Sequence, residues 1–324
     1  MIATSGLDGQ LEATGDHDFH RWGVILAGGD GKRLLPLTRR ITGDERPKQF
    51  CALTGSETLL KQTRRRVSRM VPTLQTLLVM NRAHECYYAD NVAGVSSTCL
   101  LVQPYNHGTA TAIAYGLTRV GQTDPQGIVA FFPSDHHFAN EEAFSNCVDL
   151  AFIQAKSHPE RVILLGIEPE AAEEAYGWIE PGFPLASGSG TLISEVSRFW
   201  EKPPRSVASW LMRRGCLWNS FVMVGALGAF RNLIQHTLPE LLSRFESMPA
   251  MVAPGREHRA LGEIYQKLPP ADFSAEVLSA RPSDLAVICG RGLGWSDLGD
   301  PERALSVLNH NGSRYLAQAD IQDS

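Results

Sequence analysis

An apolar run, Gly23-Val24-Ile25-Leu26-Ala27, passes directly into Gly28-Gly29-Asp30-Gly31-Lys32-Arg33. The first stretch reads as a strand. Glycines at the following spacing end it in a loop whose backbone can take positive φ and whose N–H groups can converge on an anion. Pro47-Lys48 follows fourteen residues after Arg33, so two cations of fixed reach accompany the glycines. The combination describes a phosphate cradle, with a nucleoside triphosphate as its natural guest. Two commoner glycine-rich sites fit less well. A P-loop requires Ser or Thr after its Gly-Lys to put a hydroxyl on magnesium, and here Arg33 follows Gly31-Lys32. The dinucleotide fingerprint requires a third small residue, where this chain brings Leu34, so an oxidoreductase is a distant reading. An ordinary strand-to-helix turn explains the glycines but not the cations.

The 324 residues are 43% hydrophobic and 20% charged, enough apolar material for one large core or two. A net charge of −5 provides no general basic field, which argues against nucleic acid and acidic membranes as partners. The densest basic cluster, Arg64-Arg65-Arg66 with Arg69, reads as a solvated helix face. Six scattered cysteines without a Cys-x-x-Cys pair read as reduced, mostly buried thiols of a cytoplasmic protein. Residues 1–20 carry four acids and no Lys or Arg until Arg21, and read as a loose acidic tail rather than a targeting peptide. The longest apolar run, Val222 to Phe230, is about half of a bilayer span.

From Trp22 onward, β-rich runs alternate with helical patterns, which predicts an α/β fold with a mostly parallel sheet and helices on both faces. The strands fall at Gly23–Ala27, Thr76–Met80, Cys99–Val102, Ile128–Phe132 and Val162–Ile167. Helical patterns cover Thr54–Met70, with a capping-box-like Thr54-x-x-Glu57, and then Gly108–Val120 and Glu141–Lys156. Past Ile167, glycines and prolines punctuate hairpins or loops, followed by a strand over Ile193–Trp200. Helices are expected at Val207–Arg214, Gly228–Met248 and Pro301–Leu308. The organisation this implies is a tail over 1–20, one domain over 21–300 and a C-terminal helix and tail over 301–324. In such sheets ligands sit beyond the carboxyl ends of the strands, where the Gly28 loop and Asp135 both fall.

Pro133-Ser134-Asp135-His136-His137 ends a strand and offers a carboxylate suited to magnesium; Asp135-x-His137 alternatively suggests zinc, though no third ligand is evident. Trp295-Ser296-Asp297-Leu298-Gly299 offers a second acid in a glycine-bracketed turn. If it meets Asp135 in space, the pair forms the acidic end of a metal site. Tyr176-Gly177-Trp178-Ile179-Glu180, Glu201-Lys202-Pro203 and Leu217-Trp218-Asn219-Ser220 combine aromatics or glycine with polar groups, as carbohydrate sites do.

Taken in order, Leu26-Ala27-Gly28-Gly29-x-Gly31-x-Arg33-Leu34, Pro47-Lys48-Gln49-Phe50, Gln103-Pro104 with Gly108-Thr109-Ala110, Pro133-Ser134-Asp135-His136, Tyr176-Gly177-x-Ile179-Glu180, Phe199-x-Glu201-Lys202-Pro203, Trp218-Asn219-Ser220 and Trp295-Ser296-Asp297-Leu298-Gly299 resemble the sugar-1-phosphate nucleotidyltransferases. The resemblance is strongest to the mannose-1-phosphate guanylyltransferases. It implies a Rossmann-like, nucleotide-diphospho-sugar transferase fold with additional C-terminal helices. Arg33 and Lys48 would be catalytic, and Leu26, Ala27, Gly28, Gly29, Gly31, Gln103, Gly108 and Thr109 would bind the nucleotide. Gly177, Glu180, Glu201, Lys202 and Asn219 would hold the sugar phosphate, and Asp135 with Asp297 would hold Mg2+. The implied substrates are GTP and mannose 1-phosphate, and a homodimer is compatible with the pattern. Glucose-1-phosphate uridylyl- or thymidylyltransfer and a catalytically silent nucleotide-sugar sensor are the alternatives. Phe221 departs from the family's small residue after Trp-Asn-Ser, and Lys32 and Leu35 stand where Thr and Trp are usual. The isomerase domain of bifunctional members has no counterpart in this sequence, so the resemblance implies the transferase step only.

Overall fold

The computed structural model describes residues 20–185, 193–248 and 254–310. The predicted acidic tail, up to residue 19, and the chain beyond residue 310 lie outside the described residues. The strands are β1 (Arg21–Leu26), β2 (Thr76–Asn81), β3 (Leu100–Gln103), β4 (Ile128–Pro133), β5 (His137–Phe138), β6 (Val162–Ile167), β7 (Gly177–Pro184), β8 (Ile193–Glu201), β9 (Leu217–Ala226), β10 (Leu285–Gly290) and β11 (Trp295–Ser296). The helices are α1 (Leu35–Thr42), α2 (Leu59–Val67), α3 (Glu85–Tyr88), α4 (Thr109–Thr123), α5 (Glu141–Ser157), α6 (Arg205–Arg213), α7 (Leu227–Thr237), α8 (Pro239–Glu246), α9 (Pro254–Lys267) and α10 (Pro301–His310).

Nine strands form one sheet in the order β3-β2-β1-β4-β9-β6-β10-β8-β7, with β7 also pairing β9. The sheet is mostly parallel, as expected, and only β8 and β9 run against the rest. Strand β6 is apolar or glycine throughout and buried at every position, the pattern of a strand covered on both faces. Alternation sorts the remaining strands. Val129 and Phe131 of β4 face a cluster built from α4, α7, α8 and α9, while Ala130 and Phe132 face α2, α5 and α6. A separate short ribbon pairs β5 with β11 antiparallel, Ser296 opposite His137.

Three local expectations change. Helix α2 begins later than the Thr54 box suggests, because Thr58 takes the N-cap, its side chain accepting the Lys61 N–H at 3.3 Å. Thr54 instead donates to Gln62 Oε1 at 3.1 Å. The helical stretch after Gly228 breaks at Leu238 (φ −134°, ψ 59°), since Pro239 cannot donate the N–H that continuity requires.

The arginine cluster is also not a simple solvated face. Arg66 is 2% exposed, with its guanidinium 5.0 Å from the Phe138 ring centroid, and Glu141 at the start of α5 pairs with Arg65 (2.8 Å), Arg69 (3.2 Å) and Arg66 (3.6 Å). The carboxylate also complements the positive end of its own helix.

Candidate functional site

Strand β1 lies between β2 and β4 in parallel register, with Leu26 opposite both Val79 and Pro133. The Gly28 loop, Asn81, Gln103 and Asp135 therefore leave the sheet at the same edge. Between them runs a cleft of about 360 Å3 lined by Leu26, Gly28, Gly29, Gln49, Gln103, Asn106, Gly108, Thr109, Ala112, Pro133, Ser134, Asp135, Phe221 and Asp272. That volume lies within the range of small-molecule sites.

The glycine loop is held by a residue whose role the sequence reading did not assign. Gln49, 2% exposed, donates through Nε2 to the carbonyls of Gly29 (2.7 Å) and Ala27 (3.2 Å). Gly31 sits at φ +61° in front of a 3-10 turn, and a Cβ there would come within 3.3 Å of the Lys48 backbone nitrogen. Gln103 is 2% exposed; its Oε1 accepts the Tyr265 hydroxyl at 2.6 Å, and its Nε2 would lie 2.5 Å from a Cβ on Gly28. Tyr265 thus orients the Gln103 amide in the cleft. Gly108 and Thr109 open α4, where Ala110 N–H donates to Ala271 O (3.1 Å) and Thr109 Oγ1 accepts the Phe273 N–H (2.8 Å). Thr109 lines the cleft but also docks the 271–273 segment.

Lys48 joins the segments that carry the two acids. It is 8% exposed, and its Nζ lies 3.3 Å from Asp135 Oδ2, donates to Leu298 O at 3.2 Å and also donates to the Asp297 carbonyl. The β5–β11 pairing produces this meeting of segments more than a hundred residues apart. Burial works against the charge of Asp135, but Lys48 and His136 outweigh it and hold the carboxyl below its ordinary range. Burial pushes the neighbouring His136 imidazole below its usual value. The Asp297 carboxylate is half committed, because Oδ1 accepts Tyr176 O–H (2.7 Å) and Gly299 N–H (2.9 Å). Arg33 stands exposed on the 3-10 turn of the glycine loop, with no ion-pair partner among the described residues.

The residues expected to hold the sugar phosphate divide. Gly177 and Glu201 are opposite each other on β7 and β8, and a Cβ on Gly177 would come within 3.0 Å of Glu201 Oε2. Lys202, at φ +44°, donates Nζ to Glu201 Oε1 at 2.6 Å. Glu180 lies on the other face of β7, where it accepts from Arg214 (3.1 Å) and Trp200 (3.4 Å), so it does not join Glu201. Tyr176 brings the start of β7 to the centre, its ring 5.1 Å from both Trp218 and Trp295.

Asn219 and Phe221 belong to a bulge where the register of β9 against β6 shifts. Ser220 Oγ donates to Leu165 O (2.6 Å) and accepts Val222 N–H (3.2 Å), while Asn219 Oδ1 accepts Phe221 N–H (3.1 Å). These bonds hold Phe221 at φ +61°, a conformation that costs a side chain about 1–2 kcal/mol. Its half-buried ring lines the cleft. The Phe221→Gly variant is expected to melt within a few degrees of the parent, since relief of strain offsets the lost ring contact and the entropy of glycine. A thermal scan checks this, and a large fall would mean that the ring contributes more than its backbone costs.

Residues 22–312 match the family described as Nucleotidyl transferase. Among curated relatives, mannose-1-phosphate guanylyltransferase 2 of Escherichia coli O157:H7 is 29% identical over 92% of this chain, and the ManC mannose-1-phosphate guanylyltransferase of Salmonella typhimurium is 28% identical over 92%. The chain spans 62% of the length of each. Among solved structures, the mannose-1-phosphate geranyltransferase of Thermus thermophilus superposes with a TM-score of 0.76 at 26% identity, covering 91% of this chain and 80% of that one. A loop of glycines facing an acid and a lysine at one sheet edge, and a family match across nearly the whole described chain, lead to one conclusion: the chain belongs to the nucleotidyl transferase family.

Proposed function

We propose that this protein transfers a guanylyl group from GTP to mannose 1-phosphate, giving GDP-mannose and pyrophosphate. The observation that carries the reading is Lys48, buried between the Asp297 segment and Asp135, which lines the glycine-loop cleft. Similarity to relatives named mannose-1-phosphate guanylyltransferase supports the choice of base and sugar.

Both reactants are anions, so the residues must hold them together and stabilise charge that spreads over the transferring phosphoryl group. The backbone from Gly28 to Gly31 faces the triphosphate, with Arg33 and Lys48 as its cations. The Gln103 amide, oriented by Tyr265, reads the base edge. A phosphate oxygen of the sugar 1-phosphate attacks the α-phosphorus in line, and the bond to pyrophosphate breaks. Gly177, Glu201, Lys202 and Asn219 hold the sugar phosphate; Glu180, on the opposite face of β7, is engaged by Arg214 and Trp200 instead.

Magnesium fits the donor set. Among the described residues no three His, Cys, Asp or Glu side chains cluster to hold a metal alone, but magnesium takes one or two carboxylates and completes its shell with phosphates and water. Asp135 and Asp297 would supply those carboxylates. When bound, the ion would neutralise phosphate charge. Among the described residues no helix is long and apolar enough to cross a membrane.

The test is pyrophosphate release from four nucleoside triphosphates against a panel of sugar 1-phosphates. GTP with mannose 1-phosphate is expected to give the highest kcat/KM, and preference for another pair reassigns the substrates. Asp135→Asn is expected to lower magnesium-dependent turnover about 10^3-fold, and unchanged metal dependence returns Asp135 to a structural role. With turnover established, Phe221→Gly is expected to change the ranking of sugars; an unchanged ranking means that the ring does not meet the sugar.

A further inference from the structure

We propose that Arg303, on the C-terminal helix α10, is a positioning residue that works with the Tyr176 hydroxyl to fix the Asp297 carboxylate and leave its Oδ2 open to a divalent cation. The proposal rests on the magnesium reading above and adds a residue with no motif to mark it. Two hydrogen bonds and one ion pair meet one oxygen of Asp297: Tyr176 O–H at 2.7 Å and Gly299 N–H at 2.9 Å donate to Oδ1, and Arg303 Nη1 lies 3.4 Å from it as an ion-pair partner. None of the hydrogen bonds or ion pairs among the described residues engages Oδ2. The carboxylate is thereby held in one rotamer, with Oδ1 committed and Oδ2, beside the Gly299 backbone, carrying no hydrogen bond.

Arg303 is itself fixed from several sides. Its Nε donates to Asp300 Oδ2, its backbone N–H donates to Asp300 Oδ1 at 3.0 Å, and Glu173 Oε2 lies 3.6 Å from Nη1. The guanidinium stacks 4.7 Å from the Tyr176 ring centroid, so cation and hydroxyl act on Asp297 as one unit. Asp300 and Glu173 balance the guanidinium, which therefore does not simply cancel the charge of Asp297. The helix is anchored in turn, because Ala304 packs with Leu34, Cys51, Leu53, Leu59 and Leu298. Two of those flank the segments that carry Arg33 and Lys48. Partners that orient a metal ligand from behind typically account for 10–100-fold in metal affinity.

The experiment uses the full chain, Mn2+ as the probe and an α,β-methylene analogue of GTP that cannot transfer, with free Mn2+ counted by electron paramagnetic resonance. Arg303→Met is expected to weaken Mn2+ at least tenfold, and Arg303→Lys to recover part of the loss. Affinity within twofold of the parent, or tighter, in Arg303→Met overturns the proposal and makes Arg303 a bystander or a competitor of the metal. Should Arg303→Met not fold, Tyr176→Phe decides: a severalfold loss supports the assignment and an unchanged affinity overturns it. A parent protein that binds no Mn2+ overturns the magnesium reading and this proposal together. Parent binding that the variants leave unaltered overturns only the role of Arg303.

Discussion

Lys48→Ala is expected to lower kcat/KM for nucleotidyl transfer about 10^3-fold while leaving the protein folded. A unit charge pair at 4 Å contributes about 4 kcal/mol at an effective dielectric near 20, and each 1.4 kcal/mol is about tenfold. Loss of a single preorganised donor to developing charge costs about 10^2–10^3-fold in comparable sites. Lys48 is placed to act at this scale, because its ammonium is buried, immobilised by two carbonyls and paired with Asp135 at 3.3 Å. The variant leaves Asp135 without its counter-ion. That carboxylate is 27% exposed, so water recovers much of the loss, and a destabilisation of about 1–2 kcal/mol is expected rather than the larger penalty of a fully buried unpaired charge. Pyrophosphate release with a parallel thermal melt separates the two effects. Near-parental turnover in folded Lys48→Ala overturns the proposed function.

The largest effect on stability is expected at Gly108. Its φ of +88° disfavours any side chain, and an added Cβ would sit 2.1 Å from the Ala271 carbonyl oxygen and 2.9 Å from the Ala271 nitrogen. Neither atom can swing aside, because both belong to backbone hydrogen-bonded across the start of α4, Ala110 N–H to Ala271 O and Ala271 N–H to His107 O. Backbone strain of about 1–2 kcal/mol and overpacking of about 1–3 kcal/mol together put Gly108→Ala about 2–5 kcal/mol below the parent. In a domain of this size that is roughly a 3–8 °C fall in Tm. An unchanged melting temperature would mean that segment 271–273 does not dock on α4. Since Asp272 lines the cleft opposite the glycine loop, weaker nucleotide binding should accompany the fall.

The parallel block was readable because each of its strands is a short apolar run bounded by turn residues, and β6 is bounded as expected, Val162–Ile167. Strand β9 was not. Val222 to Phe230 is apolar throughout, and periodicity alone cannot divide it; the structure ends the strand at Ala226 and starts α7 at Leu227. Strand β10 and the β5–β11 ribbon escaped for a different reason, as their partners lie far away in sequence and short segments carry little pattern of their own.

At the site, residue types in order were enough to nominate Lys48, Asp135 and Asp297. That the three share one small region follows from the β5–β11 pairing, which no local signal encodes. Gln49 was visible within Pro-Lys-Gln-Phe, but its hold on the Ala27 and Gly29 carbonyls was not. Glu180 and Glu201 looked equivalent, yet strand alternation and the β7–β8 register send them to opposite faces. Phe221 was readable as a departure in size, whereas its left-handed backbone became evident only with the bulge.

Strand β9 hydrogen-bonds to β4 on one side and β6 on the other. During synthesis, then, the first half of the protein emerges with two unzipped sheet margins, and nothing can bridge them until residue 226 has left the ribosome. At about 5–20 residues per second, the nascent chain waits several seconds with those margins available to neighbouring chains. The antiparallel insertion that brings Phe221 to the cleft thus delays closure of the sheet until late in synthesis, the kind of non-local pairing that folds slowly.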